Sequence, residues 1–216
     1  MKLLKNVLPR RLAHVAGAMF FLLAAAQAVA DELTRAQIEQ RLVQARGKPI
    51  DLANADLSGL DLSGLNLHGA DFFSAKLAGA MLVKTDLSGA NFTRADLENV
   101  DFSGALLKSA TLYAALLDGA NFSGADLSDS RIIGGGRRVN FRGAKLVGAD
   151  LGADPANQGM VPVRAELPDA NFDGADLTRA NLTHAVLTGA TFTGAIVTGA
   201  RFDYAVLDGS NLSLGR

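Results

Sequence analysis

A leucine or phenylalanine recurs at every fifth position through most of this 216-residue chain. A first block runs from Leu52 to Ile132, a second from Phe141 to Leu151, and a third from Leu167 to Leu212. Of these 30 central positions 28 are Leu or Phe, and Ala stands two residues earlier in 22, so chance does not explain the pattern. Helices repeat at 3.6 residues and strands at 2, and neither accommodates a period of five.

The repeating unit reads A(D/N)LXX, as in residues 55–59 (ADLSG) and 90–94 (ANFTR). It resembles the unit of the pentapeptide-repeat family, and the resemblance covers most of the chain that remains after the leader described below. The resemblance implies an all-β solenoid, a right-handed quadrilateral β-helix in which four units make the four sides of each coil.

Packing considerations agree with that fold, because only one side chain in five can point to the axis if each unit turns one corner. The central Leu or Phe fills the interior, and the slim Ala two residues earlier fits beside it. Residues 20 apart then share one side. The sequence therefore predicts that Phe72 stacks on Phe92, Phe102 on Phe122, and Phe172 on Phe192.

The segment from Met1 to Ala30 is typical of a signal peptide. Two lysines and two arginines within residues 2–11 precede an apolar stretch from Leu12 to Ala30, and small residues at 28–30 predict cleavage before Asp31. Cleavage would change the formal net charge from −1 to about −5 and leave an exported protein, periplasmic or extracellular. An uncleaved membrane anchor is the alternative, because about 19 apolar residues can span a bilayer.

The segment 31–49 is predicted to be a capping helix and a linker. Thr34 with Gln37 forms a capping box, and Gly47 with Pro49 ends the helix, so we expect it over Thr34 to Arg46, lying on the first coil. The β-helix occupies 50–216. Only residues 213–216 follow the last unit, so the last coil is exposed or covered by a second copy, which would make a homodimer.

Two breaks in the period predict loop insertions, at about 135–138 and at 154–164, because the same pattern restarts after each. In the resembled family, loops of this kind carry target contacts in gyrase-protecting members; the alternative is a tolerant surface loop without a function. The first break lies within a basic segment that the glycines at 134–136 are expected to make flexible. This segment could bind an anionic envelope component, or serve only as a solvated loop. Its cations are Arg131, Arg137, Arg138, Arg142 and Lys145.

Large apolar residues replace the usual Asp or Asn at three units, namely Met81, Leu106 and Leu116. If these side chains are exposed, they form a candidate face for a protein partner.

Nothing in the sequence predicts catalytic, cofactor-binding or metal-binding residues. The chain has no Cys, and the two His residues beyond the leader, His68 and His184, are far apart in sequence. The prediction is therefore a non-enzymatic exported scaffold or protein-interaction module. The alternative is a DNA-mimicking, topoisomerase (gyrase) binding protein, which the leader and the mild charge oppose. Direct nucleic-acid binding is disfavoured because the net charge is close to zero.

Overall fold

The computed structural model describes residues 33–153 and 163–212. The predicted signal peptide and its cleavage site lie outside these ranges, as does most of the predicted loop at 154–164. No helix within the described residues is long and apolar enough to cross a membrane.

Helix α1 spans Arg35–Ala45. Thr34 is its N-cap and accepts a hydrogen bond from the Gln37 backbone, while the Gln37 side chain accepts one from the Thr34 backbone, so the predicted capping box is confirmed. The helix ends at Arg46, which adopts a left-handed conformation with φ of 50°. Capping at both ends satisfies backbone groups that a helix terminus otherwise leaves unpaired.

Beyond α1, the described chain forms single-residue parallel bridges rather than continuous strands. Each of four successive units bridges to the unit one coil later, as Asp51 does to Asp71, and the four units so define four sides. We number them by their first outward bridging residue: side 1 begins at Asp51, side 2 at Asp56, side 3 at Asp61 and side 4 at Asn66. The coils begin at residues 51, 71, 91, 111, 131, 150, 181 and 201 and are numbered 1 to 8.

Hydrogen bonds join each coil to the next in both directions. The amide of the central Leu52 donates to the Asp71 carbonyl at 2.8 Å, and the Asp71 amide donates back to Ile50 at 3.0 Å. The outward Asp or Asn accepts a bond from the backbone two residues later, as Asp51 does from Ala53 at 2.9 Å. These acidic and amide side chains therefore fix the turn geometry, as expected of Asx turns.

The central residues fill the axis, and most of them are completely buried. All three predicted Phe pairs are stacked, with ring centroids 4.7 to 5.0 Å apart. Phe141 joins two of these pairs, since its ring lies 5.2 Å from Phe122 and 4.9 Å from Phe172. A continuous stack of five rings therefore runs along side 3. Its members are Phe102, Phe122, Phe141, Phe172 and Phe192.

The predicted loop at 135–138 is wrong. Gly135 lies within coil 5 and bridges Leu116 on one side and Glu166 on the other. The unit that starts at Arg131 has four residues instead of five, so Gly136 takes the central position. A Cβ atom at Gly136 would lie 2.5 Å from the Leu117 carbonyl carbon, so the backbone itself occupies the space of the missing side chain.

The second break is an insertion. Bridges across coil 6 join residues 31 apart, as in Asp150 with Asn181, compared with 20 for a regular coil. The chain leaves the coil after Ala153, whose amide donates to Thr183 at 3.0 Å, and it is again described from Val163.

The two ends of the described coils differ. At the first, Ile38 of α1 is fully buried against the core, and the Arg35 guanidinium donates to the carbonyls of Asp61 and Ser63 at 2.9 and 3.2 Å. At the other, the central residues Phe202 and Leu207 are only partly buried. The residues one coil earlier are completely buried, so the apolar interior reaches the surface at coil 8.

Candidate interaction surfaces

Side 2 changes character along the rod. Its outward bridging residues are charged over the first three coils, and then include three apolar residues that we call the side-2 apolar row. In that row Leu116 is 52% exposed and Val206 is 36% exposed, and Val186 is partly exposed. Gly135 and Glu166 stand between them. The charged members are Asp56, Lys76 and Asp96, and the apolar row is Leu116, Val186 and Val206.

The three apolar residues predicted to share a partner face do not share one. Met81 bridges Asp61 on side 3, Leu106 lies on side 4, and Leu116 lies on side 2. All three are exposed, at 43%, 45% and 52%. Their positions in the sequence do not differ by multiples of 20, the spacing that a shared side requires, and that places them on different sides.

The five predicted cations encircle coil 5 instead of forming a patch on a loop. Arg131 bridges on side 1, Arg137 and Arg138 follow Gly136 on side 2, Arg142 follows Phe141 on side 3, and Lys145 bridges on side 4. The neighbouring glycines are bonded into the coil, as when the Gly136 amide donates to Glu166 at 3.0 Å. We call these five cations the coil-5 belt.

Three members of the belt have carboxylate partners on adjacent coils. Arg137 Nη2 lies 2.9 Å from Asp169 Oδ2, Lys145 Nζ lies 3.7 Å from Asp126, and Arg131 Nε lies 4.0 Å from Asp150. Arg131 also lies over the Tyr113 ring, 5.0 Å from its centroid. These pairs lower the positive charge that the belt offers to an anionic partner.

Asp126 is a heavily bonded carboxylate of side 4. Its oxygens accept bonds from the Ser128 amide at 3.1 Å and hydroxyl at 2.6 Å, and lie 3.5 Å from Lys108 and 3.7 Å from Lys145. Partial burial raises the pKa of Asp126, but the Ser128 bonds and the charges of Lys145 and Lys108 outweigh that effect, so its pKa lies below the usual value. The network ties coils 3, 4 and 5 together.

A groove of about 290 Å³ opens on side 2 where coils 4, 5 and 6 meet. Apolar side chains of Leu116, Ile133 and Val163 line it together with the charged pair Arg164 and Glu166. The sequence gives little sign of this groove, because the second insertion separates Arg164 from the coils that it faces.

The two histidines are not part of a common site. His68 lines a separate groove beside the end of α1, and His184 stacks on Tyr204 with centroids 4.9 Å apart. No group of three metal-ligating side chains occurs within residues 33–153 and 163–212.

The comparisons with known proteins agree with the repeat. The sequence model of the pentapeptide repeats matches in eight copies, within residues 50–89, 71–108, 105–134, 165–203 and 175–213. No curated protein matches the chain.

Several solved structures are similar to this chain. HetL, a pentapeptide repeat protein involved in heterocyst differentiation regulation from the cyanobacterium Nostoc, is 26% identical over 85% of this chain and 99% of its own, with a TM-score of 0.49. A pentapeptide repeat protein of the Arabidopsis thaliana thylakoid lumen is 31% identical over 50% of this chain and 66% of its own, with a TM-score of 0.35.

QnrB1, a plasmid-mediated fluoroquinolone resistance protein, is 16% identical over 74% of this chain and 85% of its own, with a TM-score of 0.43. Because these TM-scores lie below 0.5, the assignment depends on the sequence model, which covers more than half of the chain. The fold of that family is a right-handed quadrilateral β-helix. This chain belongs to the pentapeptide-repeat family.

Proposed function

We propose that this protein is an exported, non-enzymatic scaffold that binds a protein partner through side 2. Pentapeptide-repeat proteins are generally non-enzymatic and mediate protein interactions. Solenoids present extended surfaces, because each coil adds one outward position to the row of side chains along a side. Partners bind along such surfaces.

The side-2 apolar row is the observation that carries the proposal. Outward positions in this repeat are normally Asp, Asn or another polar residue, which keeps a side of the rod hydrated. Leu116, Val186 and Val206 replace them along one side, and two of these side chains are more than a third exposed. Exposed apolar side chains aligned on a rigid surface are typical of protein-interaction sites.

Affinity capture from the native host tests the role of side 2. We expect Leu116→Asp and Val206→Asp to remove the partner that copurifies with the unaltered protein. Met81→Asp and Leu106→Asp are matched controls, because they place the same charge at residues of similar exposure on sides 3 and 4. Equal loss from all four variants, or from none, would contradict a partner site on side 2.

Export is the second part of the proposal, and the predicted signal peptide supports it. Cell fractionation followed by intact-mass measurement is expected to give a periplasmic or extracellular species that begins at Asp31. An intact leader on membrane-bound protein would instead indicate a tethered rod.

The exposed interior of coil 8 supports a homodimer through the last coil, and α1 acts as the cap that covers the first. Phe202 and Leu207 are partly exposed at the open end, and a second copy would bury them. Light scattering on Phe202→Asp tests this: we expect a dimer that becomes a monomer, and a monomeric unaltered protein would contradict it.

The coil-5 belt is the candidate contact for an anionic envelope component. Arg138 and Arg142 have no carboxylate partner within residues 33–153 and 163–212, so they remain available to anions. Binding to anionic vesicles that is unchanged by Arg138→Gln with Arg142→Gln would exclude this contact.

The DNA-mimic alternative would need a continuous negative field along the rod. Cations instead interrupt the acidic rows on three sides, as Lys76 does on side 2, Arg131 on side 1 and Lys145 on side 4. Inhibition of topoisomerase supercoiling by the mature protein would nevertheless favour this alternative.

A further inference from the structure

The groove on side 2 combines an apolar wall with an incompletely bonded arginine. Leu116 and Val163 form the accessible wall, while Ile133 also borders the groove but is completely buried. The side chain of Arg164 is 29% exposed, and its Nε atom is buried. That Nε lies 3.6 Å from Glu166 Oε1 but donates no hydrogen bond to any described residue.

An arginine with unused hydrogen-bond donors can bind an anion. A guanidinium carries five N–H donors in a planar fork that matches the geometry of a carboxylate. Buried donors in folded proteins are almost always bonded. Because Nε itself is enclosed, a ligand reaches Arg164 through the exposed part of its guanidinium, which donates no hydrogen bond to a described residue either. Glu166 at the same rim repels a doubly charged phosphate more strongly than a singly charged carboxylate, and it can accept a hydrogen bond from an adjacent N–H.

The backbone of the groove cannot bind an added strand. The Leu117 amide donates to Gly135 at 2.8 Å and the Gly136 amide donates to Glu166 at 3.0 Å, so these groups are committed to neighbouring coils. Recognition must therefore use side chains of the ligand or the end of its chain.

We propose that this groove binds the carboxyl-terminal aliphatic residue of a peptide. The terminal carboxylate pairs with Arg164, the N–H of the same residue donates to Glu166, and the aliphatic side chain lies on Leu116 and Val163. A volume of about 290 Å³ is sufficient for one such residue. The inference rests on the proposed function, since it assigns a partner chemistry to the side that carries the apolar row.

Calorimetric titration of the full chain with N-acetyl-Ala-Ala-Leu tests the groove. The same peptide with a C-terminal amide lacks the carboxylate, and we expect it to bind at least ten-fold more weakly. Free leucine, whose own charged ammonium replaces the peptide N–H, distinguishes an amino-acid site from a peptide site.

Arg164→Gln is expected to weaken binding of the acid peptide at least ten-fold, while Arg179→Gln, on side 4 and outside the groove, is expected to leave that binding unchanged. Amide resonances of Gly134 and Gly135 are expected to shift on peptide addition, and the rest of the ¹H–¹⁵N spectrum shows whether each variant is folded.

Three results would overturn the inference: equal binding of acid and amide, full binding by Arg164→Gln, or leucine binding as tightly as the peptide. Absence of any binding at millimolar peptide would overturn it as well. The scaffold role is judged separately by Val206→Asp, which alters side 2 away from the groove, so the two failures are distinguishable.

Discussion

Gly136 provides a severe test of coil 5, which we call the short coil because one of its units has four residues instead of five. A Cβ atom there would lie 2.5 Å from the Leu117 carbonyl carbon and 2.8 Å from the Asp118 amide nitrogen, both of them backbone atoms that cannot rotate away. At Gly135, the nearest atom to an added Cβ is the Glu166 carbonyl oxygen at 3.9 Å, an ordinary contact. Neither glycine has a positive φ, so alanine is acceptable to the backbone at both positions.

We expect Gly136→Ala to lower the free energy of unfolding by about 1–3 kcal/mol, the usual cost of overpacking. Gly135→Ala is expected to be neutral or to stabilise by up to about 1 kcal/mol, because it reduces the entropy of the unfolded chain. In a chain of this size, the first change corresponds to a fall in Tm of roughly 2–12 °C.

Thermal and urea unfolding, followed by far-ultraviolet circular dichroism, measures both variants against the unaltered protein. Gly135→Ala is the matched control, because it adds the same methyl group one residue away on the same coil. If both variants unfold within about 0.5 kcal/mol of the unaltered protein, as surface positions usually do, residues 135–138 are a loop and the short coil is refuted.

Three further predictions follow from single contacts. Phe141→Ala is expected to cost about 3–5 kcal/mol in urea unfolding, because the ring is completely buried between two others, and a cost below about 1 kcal/mol would contradict a continuous stack. Asp126→Asn is expected to lose about 1 kcal/mol at pH 7. The lowered pKa of Asp126 means that this stability is present above about pH 4 and is lost as the pH falls through the lowered pKa, so a difference that does not shrink on acidification below about pH 4 would argue against the network. Thr34→Ala is expected to cost about 1 kcal/mol and to raise hydrogen exchange in α1, and unchanged exchange would exclude a role for the capping box.

Much of the architecture can be predicted from spacings between residues in the sequence. The period of five identifies the central residues, and the separation of 20 places Phe72 on Phe92 without any knowledge of the structure. The capping box of α1 is equally local, since Thr34 and Gln37 are three residues apart.

The sequence did not predict the short coil because a shift of four residues in the repeat has two possible structural causes. Removing one residue from a unit shifts the period of five as much as inserting four, and the Leu or Phe that would distinguish them is absent at Gly136. Only the bridges of Gly135 to Leu116 and Glu166 decide between the two readings.

The surfaces were harder to predict than the interior. Placing Met81, Leu106 and Leu116 on different sides needed only the period of 20, so this information was present in the sequence. Pairing Arg137 with Asp169 was not accessible, because the two residues are brought together across the insertion. The groove at Arg164 depends on the same insertion.

The partner site on side 2 is tested most directly by photo-crosslinking in intact cells. A photoreactive phenylalanine at Leu116 and one at Leu106 occupy similarly exposed positions on sides 2 and 4. We predict a discrete crosslinked species from position 116 that is absent at position 106. The same species from both positions, or from position 106 alone, would contradict an interaction scaffold that works through side 2.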